Sequence, residues 1–266
     1  MKRLLFSFQF LTIIPLRVKE HISEEEIGIS PAFFPLVGVF QGGLLVISAI
    51  LLRKVFSLEL TNGLLILLLV LINGGFHLDG LADTFDAIAA RGDKEKKLSI
   101  MKDSTIGPVG VIAIVFTLLL KFLSLNNLSF FPPFIFYSSI FLMPVISKWV
   151  IVTSMFYGKP AREDGLGKIF MKNVKPSTLI LSSTVIILSF ILVVAIQILL
   201  YKEHSLKSFL LFLTVILALF YLLSLISVRF CNKAFGGLTG DTLGTISEIA
   251  ELVFLLTVII WSQFIT

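Results

Sequence analysis

The sequence has a single cysteine, Cys231, among its 266 residues. A lone thiol excludes an intrachain disulfide and a metal site built from clustered cysteines, so we interpret it as a reduced structural residue. Charged residues are also scarce, at 15% of the chain. The basic residues stand between apolar runs and form no aromatic-basic module, so the net charge of +5 does not indicate a nucleic-acid-binding protein.

Apolar residues are abundant instead, at 56% of the chain, and the mean hydropathy is +1.00. A soluble domain of this length buries a core without being so apolar throughout. We therefore predict an all-α polytopic membrane helical bundle that forms one domain over residues 1–266. About seven segments approach the ~20 residues that a bilayer crossing needs, and they lie near 32–52, 60–76, 107–125, 133–156, 178–200, 207–228 and 243–264.

The N-terminal segment begins with Lys2 and Arg3 and continues as an apolar run to Leu16. This pattern resembles a signal peptide, but Arg17 and the acidic run 24–26 follow where a small-residue cleavage site would stand. The apolar run is also short for a crossing. We expect an uncleaved interfacial or re-entrant segment.

The charges of the connections predict the orientation. Sixteen Lys and Arg residues lie in one set of alternate connections, 1–31, 77–106, 157–177 and 229–242. The opposite set, in which we count Lys121, holds five, so the positive-inside rule places the first set in the cytoplasm and the protein in the cell membrane. Nearly all acidic residues follow the same partition. Polar groups gathered at one face favour an enzyme, because a transporter more often places them near the bilayer midplane.

Three aspartates follow directly on the apolar run 64–72. Asp79, Asp83 and Asp86 lie at positions i, i+4 and i+7, so a helix would direct them to one side. Their oxygen atoms suit Mg²⁺, which prefers carboxylates, water and substrate phosphate. A helix end with solvated acids is the alternative. His77 lies roughly 200° from Asp79 around a helix, so we expect a satisfied structural histidine rather than a ligand.

Two further motifs contain groups that suit phosphate. Lys102 and Asp103 stand just before a predicted crossing, where the lysine can neutralise a phosphate and the aspartate can hold a metal, a hydroxyl or a helix end. Arg162 lies in the glycine-containing segment 161–168, and arginine binds phosphate through a bidentate fork. An ordinary charged turn is the alternative for this segment.

A fourth motif is the glycine-rich segment 236–244, which contains Asp241 and leads into Glu248 and Glu251. Two glutamates in the opening turns of a membrane helix need a cation, a basic partner or a substrate donor. Gly237 and Gly240 resemble a phosphate cradle, although the lysine of a P-loop is missing. Lys148 lies inside a predicted crossing, and we expect it to pair with one of the buried acids.

Taken together, these residues indicate phosphoryl transfer at a membrane face. Acidic side chains would hold Mg²⁺, and Arg and Lys would offset the charge of the transition state. The residues alone therefore predict a metal-dependent membrane phosphotransferase.

The four motifs resemble those of the cobalamin synthases, also called adenosylcobinamide-GDP ribazoletransferases. The segments that carry the resemblance are 34–38, 74–84, 100–104, 161–167 and 240–244, with Glu248 and Glu251. The sequence departs from the family pattern at Ser99, Lys102 and Thr105, where the family often has Glu, Arg and Arg. It also has Lys148 where the family usually has Arg, and a lysine keeps the charge but loses the fork geometry.

The resemblance implies that adenosylcobinamide-GDP and α-ribazole, or its 5′-phosphate, give adenosylcobalamin, or its 5′-phosphate, and GMP with Mg²⁺. It implies catalytic roles for Asp79, Asp83, Asp103 and Asp241. It implies metal ligation by Asp79, Asp83, Asp86, Asp241, Glu248 and Glu251. Substrate contacts would come from Lys102, Lys148, Arg162, Gly237 and Gly240. Homo-oligomerisation and association with other cobamide-assembly enzymes stay open.

Three other functions remain as alternatives. A CDP-alcohol phosphatidyltransferase shares the Asp79-Gly80 pair, but its Ala-Arg continuation is replaced here by Asp83 after Ala82. A lipid prenyltransferase matches the aspartate spacings less well. A cation-coupled transporter would also use intramembrane acids, and it predicts substrate flux without release of GMP.

Overall fold

The computed structural model describes residues 1–16, 22–163, 165–201 and 206–265. This part of the chain forms twelve α-helices and one short 3-10 helix, Ser30–Phe33. The α-helices are α1 (Lys2–Leu11), α2 (Glu24–Ile29), α3 (Phe34–Leu52), α4 (Leu58–Ile72), α5 (Phe76–Ala89), α6 (Lys94–Ile100), α7 (Pro108–Leu128), α8 (Pro133–Tyr157), α9 (Leu166–Asn173), α10 (Pro176–Tyr201), α11 (Leu206–Phe235) and α12 (Gly240–Ile265). The predicted all-α class is confirmed.

Among the described residues, six segments are long and apolar enough to cross a membrane: Glu24–Leu52, which contains α2 and α3, and the helices α7, α8, α10, α11 and α12. Helices α4 and α5 pass the same test only as a pair, and an 87° bend separates them. Counting that pair as one crossing gives seven, as the sequence predicts. The chain is therefore a multi-pass helical membrane protein.

The bend between α4 and α5 depends on two glycines. Gly74 and Gly75 have φ values of +63° and +73°, a backbone conformation that residues with a side chain rarely adopt. The predicted crossing at 60–76 thus ends at Ile72, and the aspartates follow on a separate helix. The expected helix from Asp79 onward is confirmed.

Helix α8 is the centre of the bundle and contacts α3, α10, α11 and α12. Its closest neighbour is α3, at the Gly38-x-x-x-Gly42 spacing. A Cβ on Gly38 would lie 2.6 Å from the Pro144 carbonyl oxygen, and one on Gly42 would overlap Phe141. Glycine at both positions therefore lets the two backbones touch, as the small-residue spacing predicts.

Helix α5 approaches α12 just as closely, at Gly80. A Cβ on Gly80 would lie 2.7 Å from the Asp241 carbonyl oxygen and 2.8 Å from its Cα. The Thr245 hydroxyl closes this contact by donating to the Gly80 carbonyl oxygen at 2.9 Å. The fold thus brings the aspartate helix against the start of α12.

We expect Gly80→Ala to force α5 and α12 apart and to destabilise the protein by about 1–3 kcal/mol, the usual cost of overpacking. Gly43→Ala is the matched control, because an added Cβ there meets no atom within 4 Å and alanine favours a helix. The melting temperature in detergent is the measurement. Equal melting temperatures for the two variants would contradict the close contact.

The N-terminal helix α1 has ten residues, which is too short for a crossing. It packs on the 3-10 helix and α3, and the Ser7 hydroxyl donates to the Ser30 carbonyl oxygen at 2.9 Å. This arrangement fits the predicted interfacial segment. Arg17, which the sequence analysis places directly after this segment, lies outside the described residues.

One assignment from the sequence is wrong. Lys121 is counted there among the connections, but it lies within α7 and is 3% exposed. Its charge therefore belongs to the interior of the bundle and not to a loop.

Candidate active site

A pocket of about 560 Å³ opens where α5, the connection after α8 and the start of α12 meet. It is lined by predicted site residues from all four motifs, namely Asp79, Lys102, Arg162, Gly240 and Asp241. These residues span more than 160 positions of the chain. The helical packing therefore brings together the groups that the sequence predicts to act together.

Two connections pair to bring Arg162 near Asp241. The Ala161 N–H donates to the Leu238 carbonyl oxygen at 2.9 Å, and the Leu238 N–H donates to the Lys159 carbonyl oxygen at 2.8 Å. Gly237 makes this pairing possible, because a Cβ there would lie 2.7 Å from the Ala161 nitrogen. Gly237 does not line the pocket, so the structure gives it a role in loop pairing and leaves the predicted substrate contact unsupported.

The Arg162 guanidinium lies 3.5 Å from the Asp241 carboxylate and donates to the Leu98 carbonyl oxygen at 3.2 Å. Its buried Nε has no hydrogen-bond partner among the described residues. The Thr239 hydroxyl donates to the same carboxylate at 3.3 Å. Arg162 is thus held in place with a donor still available, as an anion-binding residue requires.

The connection that carries Arg162 continues into a solvent-exposed ion pair. Lys168 donates to the Glu163 carboxylate at 2.8 Å. This hydrogen bond, together with the lysine charge, lowers the pKa of Glu163. The pair contributes little free energy, because exposed ion pairs are screened by water.

The aspartate stripe of α5 faces Asp241. Asp79 is exposed in the pocket, and Asp83 interacts electrostatically with Asp79, Asp241 and Arg162. Carboxylates held this close repel one another until a cation or a proton reaches them. Asp79 and Asp241 both line the pocket, whereas Asp83, predicted to join them, does not.

Asp86 contacts a different partner. Its two carboxylate oxygens accept hydrogen bonds from the backbone N–H groups of Gly107 at 2.7 Å and Gly110 at 2.8 Å. It therefore caps the start of α7 from the neighbouring helix, where a negative charge is favoured. This corrects the expectation that Asp86 faces a metal with the other two aspartates.

Lys102 and Asp103 are separated by the structure. Lys102 lines the pocket, whereas Asp103 is exposed outside it and accepts a hydrogen bond from the Thr105 N–H at 3.0 Å. Asp103 thus forms a turn, close to the capping role that the sequence leaves open. A catalytic role for Asp103 stays a prediction.

Glu248 and Glu251 form a buried ion network with two lysines. Lys121 Nζ lies 2.6 Å from Glu248 and 2.7 Å from Glu251, and Lys148 Nζ lies 3.5 Å from Glu251. The expected pairing of Lys148 with a buried acid is confirmed. None of these four side chains lines the pocket, so the arrangement does not support metal ligation by the glutamates or substrate contact by Lys148.

Sequence reasoning missed Lys121 as part of this network. The signal was available, because an ionisable residue within the apolar run of α7 requires a partner. The partner itself was not predictable, since Lys121 and Glu251 are 130 positions apart.

His77 differs in part from its predicted role. It is 8% exposed, as a structural histidine would be, but it lines the pocket and its Nδ1 has no hydrogen-bond partner among the described residues. It packs against α12 at Gly244, where a Cβ would lie 3.1 Å from the His77 Cα. The histidine is therefore buried but not fully satisfied.

Part of the pocket lining is aromatic. Phe10 of α1, Phe34 of α3 and Phe170 of α9 all line it. The Phe10 ring centroid lies 5.0 Å from that of Phe170 and 5.8 Å from that of Phe34. We call these three rings the aromatic wall. The sequence does not single them out, because phenylalanine occurs 26 times in the chain.

Among the described residues, no three His, Cys, Asp or Glu side chains gather closely enough to form a complete cation site by themselves. Mg²⁺ does not need such a cage, because it commonly binds through one or two carboxylates plus water and substrate phosphates. Asp79 and Asp241 supply two carboxylates beside Arg162 and Lys102. The donor set therefore fits a magnesium ion that arrives with a phosphorylated substrate.

Comparisons with known proteins identify the family of the chain. The family described as cobalamin-5-phosphate synthase matches residues 3–259. Relatives named adenosylcobinamide-GDP ribazoletransferase include those of Thermodesulfovibrio yellowstonii, 34% identical over 96% of this chain and 94% of the relative, and of Clostridium novyi, 36% identical over 97% of each. No solved structure matches. The chain belongs to the cobalamin-5-phosphate synthase family.

Proposed function

We propose that this protein is an adenosylcobinamide-GDP ribazoletransferase. It joins adenosylcobinamide-GDP to α-ribazole, or to α-ribazole 5′-phosphate, and releases GMP with adenosylcobalamin or its 5′-phosphate. The observation that carries the proposal is the pocket in which Arg162 and Asp241 lie side by side with Asp79 and Lys102. The relatives that bear the name of this activity match this chain over nearly their whole length.

The transfer forms one phosphorus–oxygen bond and breaks another. A ribazole hydroxyl attacks the phosphorus that is linked to cobinamide, and the bond from that phosphorus to the GMP oxygen breaks. The electron pair of the broken bond leaves on GMP, and the hydroxyl proton passes to water in the pocket. Negative charge builds up on the phosphate oxygens during this exchange, so cations beside them lower the barrier.

Arg162 and Lys102 supply those cations. Arg162 already contacts Leu98 and Asp241, so its orientation is fixed before the substrate arrives and less conformational entropy is lost on binding. Lys102 adds a point charge from the other connection. Together they bind and orient the diphosphate of the donor.

Asp79 and Asp241 would hold Mg²⁺. When bound, this ion supplies further neutralisation of the phosphate oxygens. Asp83 supports the same region electrostatically, since its carboxylate adds to the negative potential that attracts a cation.

The proposal is tested by following GMP release from adenosylcobinamide-GDP and α-ribazole with the purified protein in liposomes. We expect GMP and the cobalamin product in equal amounts, and loss of both when EDTA removes Mg²⁺. Omitting α-ribazole is the control, and it should stop GMP release. Release of CMP from a CDP-alcohol, or substrate flux without GMP, would favour one of the alternative functions.

The pocket lies on the cytoplasmic side of the cell membrane in this proposal, because the connections around it belong to the basic set. We expect a cysteine introduced by Lys96→Cys to react with a membrane-impermeant maleimide only in inside-out vesicles. The native Cys231 is buried and should give little background. An introduced Lys54→Cys, on the opposite connection, should react only in right-side-out vesicles, and the reverse pattern would invert the orientation.

A further inference from the structure

We propose that the aromatic wall binds the base of the nucleoside acceptor, a methylated benzimidazole, and not the guanine of the donor. The inference rests on the proposed function, which brings two nucleosides with different bases to one pocket. It assigns one of them to Phe10, Phe34 and Phe170.

The pocket has both charged and aromatic lining residues. Arg162, Lys102 and Asp79 provide charge, and the aromatic wall adds three mutually packed rings from α1, α3 and α9. Phosphate and cation chemistry requires the charged residues. A planar, weakly polar group suits the aromatic ones.

The two bases differ in the polar groups on their edges. Guanine has several N–H donors and carbonyl and ring-nitrogen acceptors on its edges, and phenylalanine rings satisfy none of them. Burying polar groups without hydrogen-bond partners is unfavourable. A dimethylbenzimidazole has methyl groups and one free ring-nitrogen acceptor. Phe10, the partly exposed ring of the wall, gains contact area with such a base, and few polar atoms are left unpaired.

Helix α1 adds one polar side chain, Gln9, beside the aromatic wall. Gln9 lines the pocket next to Phe10, and a single side-chain amide can donate one hydrogen bond to the free ring nitrogen of a benzimidazole. One amide does not match the several donors and acceptors of guanine. The composition of this part of the lining therefore matches the acceptor base better than the donor base.

The volume of the pocket limits which parts of the two substrates it can hold. A pocket of about 560 Å³ accommodates a nucleoside and neighbouring phosphates, and it lies within the ~300–1,000 Å³ range of small-molecule sites. A corrinoid ring does not fit in the same space. The corrinoid of the donor therefore stays outside, while the acceptor and the reacting phosphate share the pocket.

Phe10 is the ring to test, because it is partly exposed whereas Phe34 and Phe170 are fully buried in the bundle. We expect Phe10→Leu to raise the KM for α-ribazole about tenfold, since a base that stacks on an aromatic ring loses that stabilisation when the ring is replaced. The KM for adenosylcobinamide-GDP should stay within about twofold. Phe10→Tyr keeps the ring and should restore the KM for α-ribazole.

The matched control is Phe8→Leu. Phe8 lies on the same helix and packs edge-to-face on Phe40, with ring centroids 5.4 Å apart, but it does not line the pocket. It should leave both KM values unchanged. A nucleoside analogue with adenine in place of the benzimidazole is a second probe, and Phe10→Leu should reduce the preference of the enzyme for the natural base.

The outcomes separate the inference from the proposed function. A rise in the KM for adenosylcobinamide-GDP alone would assign the wall to guanine and overturn the inference. Unchanged KM values for both substrates would show that the wall only packs α1 onto the bundle, which also overturns it. Absence of GMP release by the unaltered protein would instead contradict the proposed function.

Discussion

Replacing Asp79 with asparagine is expected to reduce GMP release by about 10²–10³-fold, the loss typical when one group that contributes to electrostatic stabilisation of the transition state is removed. Asparagine keeps the shape of the side chain but removes the charge that a cation or a proton requires. Asp79 is exposed in the pocket, so its replacement should leave folding unchanged. The measurement is the initial rate of GMP release at saturating substrates.

The matched control for this prediction is Asp93→Asn. Asp93 lies outside the pocket and accepts a hydrogen bond from the Lys96 N–H at the start of α6. The Asp93→Asn variant should lose at most about 1 kcal/mol of unfolding free energy and keep its rate of GMP release. A near-normal rate for Asp79→Asn in liposomes would remove this carboxylate from the mechanism.

The second large effect is expected from Lys121→Met. This change leaves Glu248 without its closest cation and Glu251 with only the more distant Lys148, all in the interior of the bundle. Removing one partner of a buried ion pair usually costs ~3–5 kcal/mol. In a chain of this size the melting temperature in detergent should fall by on the order of 10 °C.

Two comparisons make this prediction specific. The double variant Lys121→Met with Glu248→Gln should regain part of the lost stability, because the uncompensated charge is removed as well. Lys54→Met changes an exposed lysine and should have almost no effect. If Lys121→Met were as stable as Lys54→Met, the buried network would contribute nothing to the packing of α7 on α12.

The spacing and size of residues that are near one another in the sequence predicted several features of the fold. The spacing of Asp79, Asp83 and Asp86 gives a helix with three acids on one face, and α5 has that form. The small residues Gly38 and Gly42 indicate a close helix contact, and α3 makes it with α8. Such features depend on neighbours in the chain, so periodicity and residue size are enough to find them.

Contacts between distant segments were not predictable in the same way. Asp86 shares a face with Asp79, yet the position of α7 determines that its oxygens meet Gly107 and Gly110. The charges of Glu248 and Glu251 require a partner of some kind, but the sequence alone does not distinguish a metal ion from a lysine. The packing of α7 against α12 decides in favour of Lys121.

The pairing of Pro160 with Leu238 is a third example. These connections are 78 positions apart and contain no strand pattern, and a single bridge between them places Arg162 beside Asp241. No rule of spacing anticipates such a contact. The motif residues were identified from the sequence, and their relative placement required the tertiary structure.

The sharp turn at Gly74 and Gly75 determines the relative heights of the aspartates of α5. An unbroken helix from Leu58 to Ala89 would be about 48 Å long, well beyond the ~30 Å hydrocarbon layer. Asp79 and Asp86 would then lie roughly 10 Å apart along the helix axis. Because the 87° bend turns α5 across the axis of α4, the two aspartates instead lie at nearly the same height along that axis.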